Sequence, residues 1–116
     1  MSSADIKFVP KTWGFEKWIA NSELYCGKLL YVSAGQRCSW HYHKLKDETF
    51  YIQEGMVTLI TGPSNDTKDA ENITLGVGAA YHMPREQRHQ FIAVVDTIIF
   101  EFSTQHFEED SYRISK

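Results

Sequence analysis

Cysteine is scarce in this chain: Cys26 and Cys38 are the only two in 116 residues. Their spacing of twelve matches neither a zinc ribbon nor a redox pair, which leaves them as buried free thiols. Basic residues are in deficit, twelve Lys and Arg against fifteen Asp and Glu for a net charge of −3. They are also scattered, so no basic stripe is available to neutralise a nucleic-acid backbone. Long apolar runs are missing as well. No stretch approaches the ~18 residues of a membrane span, and Met-Ser-Ser-Ala-Asp at the start carries no signal-peptide core. The expectation is a soluble, cytoplasmic protein with no nucleic-acid and no membrane partner. Helical periodicity is nearly absent, and there is no internal repeat.

What is present points to sheet. The length permits one domain, residues 1–116, and not two, while 42% hydrophobic and 23% charged residues describe a globular chain. Seven Phe, six Tyr and three Trp favour strands. Short apolar segments recur between turn formers at intervals of about 8–12 residues, the pattern of a sandwich or barrel. They predict strands over 6–9, 12–19, 24–32, 37–43, 49–53, 56–61, 73–75, 80–83, 90–95 and 97–103. Glu54-Gly55 marks a tight hairpin. Residues 1–5 read as a flexible N-terminus. The polar run 62–72 reads as an exposed loop, and the tail 104–116 as either a short helical turn or an extended arm.

Four residues carry metal chemistry. His41 and His43 are two apart, so on a strand both imidazoles project from one face. A turn brings back Glu48, and His89 follows a second turn at Met83-Pro84. Three imidazoles and one carboxylate suit one divalent ion, manganese, iron, zinc, cobalt or nickel, and leave positions open for water or substrate. Two further histidines, His82 and His106, have no place in this pattern.

The spacing Gly35-x5-His41-x-His43-x4-Glu48-x6-Gly55 resembles the complete first motif of the cupin family. Gly78-x5-Pro84, with His89 five positions later, is similar to the second motif, although Glu86 stands where the family usually has Gly and Ala93 where it usually has Asn. The resemblance spans Gly35 to Ala93 and implies an all-β double-stranded β-helix, a jelly-roll barrel, often dimeric through an N-terminal strand. A homodimer is therefore expected.

Resemblance also supplies candidates for the reaction. Trp13-Gly14-Phe15-Glu16 looks like the Trp-Gly motif of mannose-6-phosphate isomerase-like cupins. Lys28 resembles, in its placement, a functional lysine of D-lyxose isomerase-type cupins. Glu101 lies in a segment similar to the Glu-x-Ser-Thr of that group, whose glutamate is a proposed proton-transfer residue. These imply a metal-dependent aldose–ketose isomerase with a carbohydrate substrate, Glu101 moving the proton and Lys28 serving the substrate oxygen. The alternatives are an iron-dependent dioxygenase and a non-enzymatic sugar-binding cupin. If Glu101 faces the barrel interior, burial should raise its pKa towards neutrality. If Ile98, Phe100 and Phe102 form core instead, it faces solvent. Lys28 has the same two options. Arg85 and Arg88 could bind a phosphate or carboxylate with their forks, Tyr51 could offer a hydroxyl, and Lys44 and Lys46 read as solvated turn residues.

Overall fold

The computed structural model describes residues 3–116. Met1 and Ser2, the first part of the expected flexible N-terminus, lie outside the described residues. The alternating pattern yields eleven strands among those described: β1 (Lys7–Lys11), β2 (Gly14–Asn21), β3 (Cys26–Val32), β4 (Trp40–Tyr42), β5 (Glu48–Glu54), β6 (Met56–Gly62), β7 (Glu71–Gly76), β8 (Ala80–Met83), β9 (Arg88–Ala93), β10 (Thr97–Ser103) and β11 (Tyr112–Ser115). They form two antiparallel sheets, ordered β1-β2-β3-β10-β5-β8 and β11-β4-β9-β6-β7. This is the all-β jelly roll expected from the sequence. No described helix is long and apolar enough to cross a membrane.

Period-two alternation decides what faces inward. On β3 the inner row is Cys26, Lys28, Leu30 and Val32; on β10 it is Thr97, Ile99 and Glu101; on β5 it is Glu48, Phe50 and Ile52. Register aligns Leu30, Ile99 and Ile52 in one row across the sheet, and Lys28, Glu101 and Phe50 in the next. The interior is thus apolar at one end and polar at the other. Ile52, Val57, Leu59 and Ile99 are completely buried in the apolar cluster, each worth about 1.5–3 kcal/mol relative to exposure. The polar end holds the candidate site.

The open question at β10 resolves in favour of Glu101. It points inward, while Ile98, Phe100 and Phe102 lie on the outer face, Phe102 being 58% exposed. Tyr51 pairs with Phe100 and therefore shares that outer face, so it cannot offer its hydroxyl to the interior. The expected strand 37–43 shortens to Trp40–Tyr42, with Arg37 making one isolated bridge to Ile92. The loop expected over 62–72 loses both ends to β6 and β7 and contains a 3-10 turn at Thr67–Asp69. It also covers Trp40, whose Nε1 donates to the Asn65 carbonyl at 3.0 Å. Both options for the tail are realised, a 3-10 turn at Glu108–Asp110 followed by strand β11.

Candidate metal centre and its cavity

His41 on β4 stands directly opposite His89 on β9, and His43 follows β4 by one residue. One ring nitrogen from each of the three histidines lies within 4.8 Å of the other two. Each Nδ1 faces a backbone carbonyl: His41 that of Ser39 at 2.8 Å, His43 that of Asp110 at 3.0 Å, His89 that of Gln87 at 3.0 Å. A carbonyl only accepts, so every Nδ1 carries a proton and Nε2 is the nitrogen each ring turns to the cluster. Burial, reinforced by neighbouring positive charge, pushes the His41 and His43 pKa values well down. Those two rings are neutral at ordinary pH.

Glu48 completes the electron-rich cluster from the other sheet. Its Oε2 is 3.1 Å from His89 Nε2 and 3.5 Å from His43 Nε2, and it is a buried oxygen without a hydrogen-bond partner. An orphaned carboxylate oxygen inside a protein costs several kcal/mol, of order 1–3 or more. Beside the histidine nitrogens Oε2 has no hydrogen-bond partner, while the other oxygen of the carboxylate lies 3.4 Å from Lys46 Nζ. The three-histidine cluster therefore fits a divalent metal ion, with Glu48 Oε2 beside two of its nitrogens, and the Nδ1 bonds fix tautomer and ring orientation as ligating histidines require.

The histidines open onto a cavity of about 830 Å³ that Lys28, Lys46, Glu16, Glu101, His106 and Trp13 also line. Lys46 is 3% exposed and Glu101 4%. Lys46 Nζ donates to Glu101 Oε2 at 3.0 Å, lies 3.4 Å from Glu48 Oε1 and meets His106 Nδ1 at 3.1 Å. Lys28 Nζ is 3.5 Å from Glu16 Oε1 and sits over the Trp18 ring, 4.3 Å from its centroid. Burial raises the Glu101 pKa, as anticipated, but the Lys46 and Lys28 charges outweigh it and the net shift is downward. The expectation of a near-neutral pKa is thus corrected: Glu101 is an ionised carboxylate. Burial works against the Lys46 ammonium too, and Glu101 and Glu48 overcome it, raising its pKa. Burial and the Lys46 charge lower that of His106.

Arg85 and Arg88 are not among the residues of this cavity. Arg85 Nε donates to the Leu45 carbonyl at 2.7 Å. Arg88 lies next to inward-facing His89 and so faces outward, where it donates to Asn65 Oδ1 and the Glu86 carbonyl and stacks 3.7 Å above the Tyr42 ring centroid. Both line a separate shallow cavity of about 500 Å³. The structure does not bring the expected substrate-binding residues Arg85, Arg88 and Tyr51 to the metal cavity: strand alternation turns Arg88 and Tyr51 away and the turn uses Arg85. Sequence reasoning missed Lys46, His106, Glu16 and Asp110. Glu16 carried a signal in the Trp-Gly segment; Lys46 and His106 carried none, since only the fold brings a turn and the tail against Glu101.

Residues 28–102 match the family described as Cupin domain. Among curated proteins none matches the sequence. Solved structures with the same fold include CapF, a capsular polysaccharide assembling protein of Staphylococcus aureus, with TM-score 0.84, 14% identity and coverage of 98% of this chain and 34% of that one. KdgF from Halomonas sp. gives TM-score 0.74 and 17% identity, covering 91% of this chain and 90% of that one. Oxalate decarboxylase of Bacillus subtilis, which has Mn(II) centres, gives TM-score 0.80 and 16% identity, covering 97% and 31%. This chain therefore spans about a third of the length of CapF, and at these identities the likeness is one of fold.

Proposed function

The chain belongs to the cupin domain family, whose fold alone leaves the reaction open; from the site itself we propose a metal-dependent aldose–ketose isomerase acting on a sugar or sugar phosphate. The observation that carries this reading is the placement of Glu101, an ionised, buried carboxylate flanked by two ammonium groups, in the same cavity as the three histidines and Glu48. Carbohydrate as the substrate class draws support from CapF, named for capsular polysaccharide assembly.

His41, His43, His89 and Glu48 would hold a divalent ion, which when bound would supply a Lewis acid for the substrate carbonyl and its adjacent hydroxyl. Glu101 takes the proton from the carbon beside the carbonyl and returns it to the former carbonyl carbon, while the proton of the adjacent hydroxyl passes to the former carbonyl oxygen with Lys28 as the relay. Held by Lys46, Glu101 is a weak base. A substrate oxygen that draws the Lys46 hydrogen bond to itself leaves Glu101 Oε2 with only the Ser103 hydroxyl, at 3.1 Å, and raises its basicity. Lys46 and Lys28 then face the oxygens on which negative charge grows.

Purified protein loaded with a divalent metal should interconvert an aldose and its ketose. Glu101→Gln should lower turnover by about 100-fold or more, the usual worth of a positioned acid–base group, while metal content by elemental analysis stays unchanged. Full activity in that variant would sink the role of Glu101. Ferrous-dependent oxygen uptake would instead favour the dioxygenase, and saturable sugar binding without product the binding protein.

A further inference from the structure

The arginines expected to hold an anionic group serve the outer turn, yet the metal cavity has basic side chains of its own. Arg37, Arg113 and Lys11 line it. Arg113 stands across the β11–β4 pair from His41, and opposed residues of an antiparallel pair project from one face, so its side chain rises from the wall that carries the metal ligands. Arg37 is exposed and lines the cavity beside β9, the strand of His89, which its bridge to Ile92 joins.

Pairing separates these residues from the lysines deeper in. Lys28 and Lys46 are matched by Glu16, Glu48 and Glu101. The remaining carboxylate of the cavity, Glu108, is engaged by His106 Nε2 at 3.2 Å. Among the described residues, Arg37, Arg113 and Lys11 have no ion-pair partner. They also make no side-chain hydrogen bond. On a chain of net charge −3, a cavity lined by these three cations and by Lys116 as well is an asymmetry that surface composition does not account for. Guanidinium forks match the geometry of an oxyanion.

We infer that the substrate carries an oxyanion, a phosphate or a carboxylate, at the end remote from the metal, and that Arg113 and Arg37 with Lys11 hold it there. This deepens the sugar half of the isomerase reading and is independent of the reaction. It makes Arg113 and Arg37 specificity residues, binding the part of the substrate that does not react.

The test compares D-glucose, D-glucuronate and D-glucose 6-phosphate as neutral, carboxylate and phosphate probes. Binding is read by calorimetry and by the fluorescence of Trp13, which lines the cavity, in both manganese-loaded and chelator-treated protein so that anion capture by the ion itself is separated out. At least one anionic probe should bind about tenfold more tightly than glucose in both forms, as one or two charge-assisted hydrogen bonds would give, and added salt should erode the difference. Whichever anion binds more tightly identifies the phosphate or the carboxylate as the natural group. Arg113→Gln and Arg37→Gln should each remove most of the preference while glucose affinity and melting temperature stay unchanged. Equal binding of all three probes, no binding of either anion at millimolar concentration, or a preference that survives the double replacement overturns the inference. Loss of isomerase activity alone would leave it standing, and isomerisation without anion preference would defeat it alone.

Discussion

Glu86 occupies a backbone conformation that costs it energy. Its φ is 69°, in the left-handed region where a Cβ crowds the chain, at the position the second cupin motif usually gives to Gly. The turn is held there by the Glu86 N–H donating to the His43 carbonyl at 2.7 Å and by Arg88 donating to the Glu86 carbonyl. Glu86→Gly should relieve the strain and raise stability by up to about 1 kcal/mol, read as a higher thermal midpoint with metal content unchanged; a less stable variant would refute the strain. The motif spacing made the four candidate ligands legible because period two and two turns suffice to converge them. Lys46 was not legible, since its neighbours Lys44 and Asp47 are ordinary turn residues and only Glu101 and Glu48, from two strands, draw its ammonium inward. The downward sign of the Glu101 shift escapes the sequence for the same reason: alternation leaves the residue inward or outward, and neither option contains the Lys46 ammonium beside it.

The tail acts as a strap on the turn between His43 and Glu48. Asp110, 3% exposed, accepts at Oδ1 from the Lys44 and Leu45 N–H groups at 2.9 and 3.1 Å, and at Oδ2 from those of Leu45 and Lys46 at 3.2 and 3.1 Å. Its carbonyl accepts a hydrogen bond from His43 Nδ1. One residue thus fixes the turn that carries Lys46 and, through its backbone, the orientation of a candidate ligand. Asp110→Ala leaves the carbonyl in place but strips the acceptor from three N–H groups, which should weaken metal affinity by about 10–100-fold, the scale for partners of ligating groups. Asp110→Asn, keeping one acceptor oxygen, should fall between. Unchanged metal titrations in both variants would show that the strap does not position the site. From sequence the tail could be read only as a turn or an arm, because Asp110 lies over sixty residues from the N–H groups it serves and no local period encodes that pairing.

His41 and His89 lie in the five-stranded sheet, with His43 just beyond β4, and Glu48 lies in the six-stranded one. An ion held by all four joins the two sheets at their polar end, where the interior lacks the apolar rows that fill the opposite end. It would also satisfy Glu48 Oε2. Both effects favour the folded chain over the unfolded one, in which the four residues are far apart. Binding to the folded state alone stabilises by about 2.7 kcal/mol when the free ion is at a hundred times its dissociation constant, which for a domain of this size corresponds to about 10 °C in melting temperature. Chelator-treated protein should therefore melt about that much lower than protein given manganese, zinc or ferrous iron, and recover when the ion returns. His89→Ala should melt at one temperature whether or not metal is added. The ion giving the largest rise at equal concentration is the one the site prefers in isolation. A wild-type midpoint indifferent to every one of these ions would remove the metal from the site and, with it, the Lewis acid on which the isomerase reading depends.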